Sequence, residues 1–203
     1  MGIISVLIAL LLGFFGLLGN ATYIDYDHDT DPIDRYDIVR KVEIAVFDRY
    51  IGVLLPVDWI ATCDQVILFS ANRDQFNTRG CMPSPLPANA IDVGSISSIP
   101  RTADVLGNFG LSVDVDVMTF GEQYLRMEGI DERGVRAFDA GGRDAVMITT
   151  PVDENGEQRI QVYITYDSAF GIILFSVDST ENVLLYEDIL RAVATTMVVE
   201  VGS

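Results

Sequence analysis

Histidine is nearly absent from this chain: His28 stands alone among 203 residues. Lysine is as scarce, since Lys41 is the one lysine among 13 basic residues and the others are arginine. Cysteine stops at two, Cys63 and Cys81, and tryptophan at one, Trp59. Each shortage excludes something. Two cysteines and a distant histidine cannot complete a zinc site. A serine or cysteine nucleophile would find no histidine in the body to act as its base, and no Gly-x-Ser-x-Gly elbow occurs. There is no basic patch, and the net charge is −17. Such a chain repels nucleic-acid phosphates and anionic lipid surfaces, because it has no counterions to release by binding them. The glycine turn "GGRD" over 141–144 leads into a strand rather than a helix, so it is not a phosphate cradle. Acids are plentiful enough for a paired-carboxylate hydrolase, yet no pair stands out from the solvated background. The reading is of a protein that is not an enzyme, with no intrinsic cofactor.

What the chain does have begins at its N-terminus. "MGIISVLIALLLGFFGLLG" is apolar throughout apart from Ser5. As a helix its nineteen residues span about 28 Å, enough for a bilayer core. Gly13, Gly16 and Gly19 share a spacing that lets another helix approach closely, although such glycines are also ordinary in membrane helices. A cleaved signal peptide would show a basic n-region, which is missing, and Gly19-Asn20-Ala21 is a weak cleavage site. The run is therefore read as an uncleaved transmembrane signal anchor over residues 1–19. Arg35, Arg40 and Lys41 follow it and would favour the cytoplasm, but long C-terminal domains translocate largely regardless of such charges. The acidic body and the two cysteines suit the extracytoplasmic side. Cys63 and Cys81 are either two buried thiols or one disulfide. In an oxidising compartment that disulfide, closing a loop of about 18 residues, would contribute roughly 3 kcal/mol.

Residues 20–37 are polar and hold Pro32, which reads as an acidic tether. Asp25, Asp27, Asp29 and Asp31 alternate as the ligands of a calcium loop do. A glycine at the sixth position and a glutamate at the twelfth should follow. Counted from Asp25 those positions are Thr30 and Tyr36, and from Asp27 they are Pro32 and Ile38, so neither register makes an EF-hand. A looser calcium site on the four aspartates, a solvated tether and an electrostatic dock for a basic partner all remain open. His28, a lone histidine in a polar loop, is a weak candidate for a haem, pigment or metal ligand.

The chain is 49% hydrophobic, and its body, residues 38–203, should build one packed domain. "DIVRKVEIAVF" alternates as a strand, or as a short helix leading into one. "YIGVLLPVDWIA" is a strand that stops at Pro56 and re-enters the core through Trp59. "DQVILFS" and "AIDVGSISSI" read as strands, with a helical turn at "NRDQFNTRG" and a proline loop at "CMPSPLPANA" between them. "TADVLGNFG" and "MTFGEQYLRMEG" read as short helices around an acidic connector that carries Asp114 and Asp116. "AVMITTPV", "RIQVYITYD" and "FGIILFSVD" have short links, one of them an Asn155-Gly156 turn, and predict an antiparallel meander. "LYEDILRAVATTM" predicts an amphipathic helix with Leu185, Ile189, Val193 and Met197 along one stripe, and "VVEV" a last strand.

The strand ending "LLPVDW", the two glycines before "AVMITT", the strand "FGIILFSV" and the helix "YEDILRAVATTM" with its hydrophobic tail together resemble the PsbP-like family over most of residues 44–200. The resemblance implies an α+β fold: an antiparallel sheet covered by helices in an α/β/α sandwich, here behind a transmembrane helix. The proline loop and the 103–127 stretch have no counterpart in that pattern. The family's best-known members are extracytoplasmic accessory subunits of membrane photosynthetic complexes, and no functional residue carries over. What the resemblance implies by analogy is a binding or scaffold role. The expectation is a single-pass membrane protein whose helix packs on the integral subunits of a larger complex, photosynthetic or electron-transferring, and whose acidic domain caps the outer face. The alternative is a solute- or polymer-binding module displayed at the surface, which predicts a concave, aromatic-lined site on the sheet.

Overall fold

The computed structural model describes residues 32–46, 48–63, 66–71, 93–129, 135–153, 156–177 and 183–202. The chain divides into two units, residues 1–30 and 31–203, and the second carries every described element. The expected membrane helix, Asp25, Asp27, Asp29, Asp31, His28 and Cys81 all lie outside the described residues. Among the described residues no helix is long and apolar enough to cross a membrane.

The first described element is a short helix, α1 (Pro32–Arg35), within the stretch read as a tether to residue 37. Ile33 and Tyr36, one turn apart, pack against the core, and that burial draws the end of the polar stretch into the domain. Asp37 turns the chain in the left-handed region at φ 48°, a conformation that aspartate tolerates better than most residues. Strand β1 (Ile38–Val46) follows directly, so "DIVRKVEIAVF" is a strand and not a helix. Val42 and Ile44 point inward while Lys41, Glu43 and Ala45 face solvent. β1 pairs antiparallel with β2 (Arg49–Pro56), and the last strand, β10 (Val198–Val201), adds to the other edge of β2.

Pro56 ends β2 as expected, and the chain then changes sheets. Trp59 is buried, and β3 (Ile60–Cys63) opens a separate seven-stranded sheet. That sheet runs β3-β4-β5-β9-β8-β7-β6. Its further strands are β4 (Ile67–Ser70), β5 (Val93–Pro100), β6 (Val135–Asp139), β7 (Asp144–Thr149), β8 (Gln158–Thr165) and β9 (Ala169–Val177). Every pairing is antiparallel, and β7-β8-β9 form the expected meander, with Met147 opposite Val162 and Val162 opposite Ile173. The edge strand β6 had no counterpart in the sequence reading. Arg136, Ala137 and Asp139 are exposed along it, so it lacks the inward alternation that reveals a strand.

Helices α2 (Ala103–Gly107) and α3 (Val117–Glu128) cover one face of the large sheet. Phe120 of α3 stacks on Phe170 of β9 at 4.2 Å between ring centroids. Gly121 lets the helix come close, since a Cβ there would lie 3.1 Å from the Tyr163 ring. The opposite face buries the larger core beneath helix α4 (Val183–Thr196) and the three-stranded sheet together. There Trp59, Phe69 and Phe175 stack nearly parallel at 5.3–5.6 Å. The fold is thus α+β with antiparallel sheets, consistent with a PsbP-like sandwich. Its third layer differs from a purely helical one, because β1, β2 and β10 share it with α4.

Candidate functional site

The four aspartates read as a calcium site and the Cys63–Cys81 disulfide cannot be placed, since Asp25, Asp27, Asp29, Asp31 and Cys81 fall outside the described residues. Of the pair, only the backbone of Cys63 is described, at the end of β3 opposite Ile67. Among the described residues no group of three or more histidine, cysteine or acidic side chains is disposed to hold a metal ion.

Among the described residues an open groove of about 600 Å³ lies between the start of α3 and the β6–β7 hairpin. Four aspartates line it: Asp114 and Asp116 from the connector, and Asp139 and Asp144 from the hairpin. Its apolar wall includes Val115, Met118, Phe138 and Val146. Local chemistry places each acid. Asp116 is the N-cap of α3: its carboxylate accepts from the Thr119 N–H at 2.8 Å and the Thr119 hydroxyl at 2.9 Å. Those two bonds hold its carboxyl below the usual range, so it stays ionised. Asp139 ends β6 and accepts from the Gly142 N–H at 2.9 Å, in a turn where Gly141 and Gly142 take φ of 65° and 82°. Asp144 lies directly across the hairpin from Asp139, two like charges in one cross-strand pair.

Among the described residues no cation offsets these charges. Arg101 also lines the groove, but its guanidinium donates to the carbonyls of Val113 (2.9 Å), Tyr166 (3.3 Å) and Val115 (3.4 Å), and lies 4.9 Å above the Phe170 ring. It ties the connector to the β8–β9 turn. Arg143, next to Asp144 in sequence, points the other way. It donates to the carbonyls of Met197 (2.8 Å), Thr195 (3.0 Å) and Ala140 (3.0 Å), clamping the C-terminal end of α4. The Tyr166 hydroxyl donates to the same Met197 carbonyl at 2.7 Å, and burial pushes its pKa up to about 12. Arg40 and Arg49 donate to the carbonyls of Trp59 and Ser98. Even the single lysine is engaged, 2.6 Å from Glu43, which also accepts from the Tyr50 hydroxyl. These described cations are spent on the body's own carbonyls and carboxylates, and none of them compensates the groove's acids.

A second cleft, about 310 Å³, lies on the large sheet between β4, β5, β8 and β9. Its wall combines small and aliphatic residues such as Ser95, Ser176 and Leu174 with Gln161 and Arg159, and Phe175 is the one aromatic residue among them. Neither of these two recesses is the aromatic-lined concavity expected of a solute- or polymer-binding module. The sequence reading picked out Asp114 and Asp116 only as a connector and passed over Asp139 and Asp144. Their signal was present, since two acids flanking a Gly-Gly turn are brought opposite each other when that turn closes a hairpin.

No family model matches the chain, and no curated protein matches it. Solved structures with a similar course of chain include a protein of Bacteroides thetaiotaomicron, with 12% identity and a TM-score of 0.43 over 73% of this chain. The match spans 44% of that protein, less than half its length. LpqN of Mycobacterium tuberculosis, described as involved in cell envelope biogenesis, is 14% identical, with a TM-score of 0.41 over 79% of this chain and 90% of its own. Cyanobacterial PsbP (CyanoP) of Synechocystis is 16% identical, with a TM-score of 0.43 over 77% of this chain and 94% of its own. At such identities and scores the likeness carries no argument about activity or partners.

Proposed function

We propose that this protein is a non-catalytic accessory subunit of a membrane-bound complex, held by its N-terminal helix, with the acidic body docked on the extracytoplasmic face of its partners. The observation that carries this reading is the acidic groove. Its carboxylates line an open recess while the neighbouring guanidiniums turn to backbone carbonyls. Uncompensated charge of one sign steers and orients a partner of the opposite sign. The apolar N-terminal run supplies a membrane anchor, and the sequence resemblance to PsbP-like proteins supports a capping role.

The test is purification of the full chain from native membranes in mild detergent, through an affinity tag on the body. Integral membrane subunits should accompany it in fixed stoichiometry, and mass spectrometry would identify them. Any co-purifying pigment or haem would identify the kind of complex. A lone monomer, obtained reproducibly at low salt, would overturn the proposal.

A further inference from the structure

Building on the accessory-subunit reading, we infer that the groove between α3 and the β6–β7 hairpin is the docking site for an extended, arginine- or lysine-bearing segment of the partner protein. The groove's shape and charge commit it to that occupant. Its rim carries Asp114, Asp139 and Asp144, all exposed. Asp114 and Asp144 make no hydrogen bond or ion pair with any described residue, and Asp144 faces Asp139 across the hairpin. A cation placed between them relieves that like-charge pairing. The wall below is apolar at Phe138 and Met118. A basic side chain matches both parts, laying its methylene stem on the apolar wall and its head among the carboxylates. A bare divalent ion does not match, because the described acids do not converge into a ligand set. The open form of the recess, bounded by a hairpin and a helix end, leaves a path for a chain to pass through.

The test uses the full-length chain in detergent micelles and a short fluorescent peptide that alternates arginine with leucine. Binding is followed by anisotropy as salt is raised. The peptide should bind at low salt and weaken as salt increases. The pair Asp114→Asn and Asp144→Asn should weaken it on the order of tenfold, a change that matches the loss of two close charge contacts. Both side chains are exposed and have no partner among the described residues, so circular dichroism should show an unchanged fold. A control that removes the same charge elsewhere, Asp48→Asn with Glu200→Gln, should leave the affinity within about twofold. An equal loss in the control would mean that the peptide reads only the overall field, and would overturn the docking site. Calcium binding that excludes the peptide and is lost in the groove variant would overturn it as well. The two proposals fail separately. If the groove variant still brings down the wild-type set of membrane subunits, the docking site falls and the accessory role stands. If the peptide binds as expected but the native protein purifies alone, the accessory role falls and the groove's preference for basic chains survives.

Discussion

Arg136 on the edge strand β6 grips both carboxylate oxygens of Glu187, at 2.9 and 3.1 Å, from across the domain on helix α4. Glu187 is only 3% exposed, and Thr149 of β7 donates its hydroxyl to the same carboxylate. One fork thus fastens the last helix to the far edge of the large sheet. A buried carboxylate stripped of its partner is costly, whereas an apolar pair of similar volume can replace both groups with little loss. Arg136→Met should therefore destabilise the fold by roughly 2 kcal/mol, discounted from the fully buried case because the guanidinium is half-exposed. The double variant Arg136→Met, Glu187→Leu should regain most of that loss. Urea denaturation of the two variants and of the single Glu187→Leu completes the cycle; simple additivity would show that the pair is not coupled.

Gly94 leaves room for the aromatic stack. A Cβ there would lie 2.3 Å from the Phe69 ring and 2.6 Å from the Leu174 carbonyl oxygen. The ring is locked between Trp59 and Phe175, and the carbonyl belongs to the neighbouring strand, so neither can yield cheaply. Gly94→Ala should cost at least about 2 kcal/mol, toward the upper end of overpacking effects. A thermal midpoint equal to that of the wild type would refute the packing argument.

Asp116 caps α3, and its replacement by alanine should cost about 1 kcal/mol at neutral pH. The carboxyl is held below its ordinary value by the Thr119 N–H and hydroxyl. Its contribution is therefore present above the unfolded pKa and lost as pH falls through the folded one. The stability difference between wild type and Asp116→Ala should shrink below about pH 4. Paired urea curves at neutral and acid pH would reveal a difference that stayed constant.

Tyr166 responds at the other end of the scale. Burial raises its pKa to about 12, so the fold holds its proton more tightly than the unfolded chain does. That stability is complete below the unfolded value near pH 10 and is lost as pH rises toward 12. Tyr166→Phe should cost about 1 kcal/mol at neutral pH, from the lost bond to the Met197 carbonyl. It should also flatten the fall in stability above pH 10. The slope should not vanish, because the Glu43 hydrogen bond raises the pKa of Tyr50 too. Chemical denaturation across alkaline pH compares the two proteins.

The C-terminal third was legible because its strands are long, dense in β-branched residues and joined by short turns, so local pattern and global pairing agree. Helix α4 was legible for a similar reason, although its buried stripe also takes in Glu187, which lies one turn from Val183 and would have marked a buried partner. β6 was not legible, since an edge strand with exposed Arg136 and Ala137 has no inward period to read. The roles of the arginines were invisible as well. A guanidinium that donates to three carbonyls at once, as Arg143 does, looks in sequence like any surface charge, yet lysine could not replace its fork.

Apolar spacing, turn residues and charge count are local or additive properties, and they sufficed for the meander, the final helix and the strongly acidic character, while the α+β class came from the resemblance. Which strands pair over long separations is not local. The chain crosses from one sheet to the other at Pro56–Trp59, β5 lies beside β9, and β10 returns to β2. These depend on how two cores close at once. The groove arises the same way: Asp114 and Asp116 meet Asp139 and Asp144 only after α3 has docked on the sheet and the hairpin has folded beside it, while Arg101 and Arg143 donate to backbone carbonyls rather than to these acids.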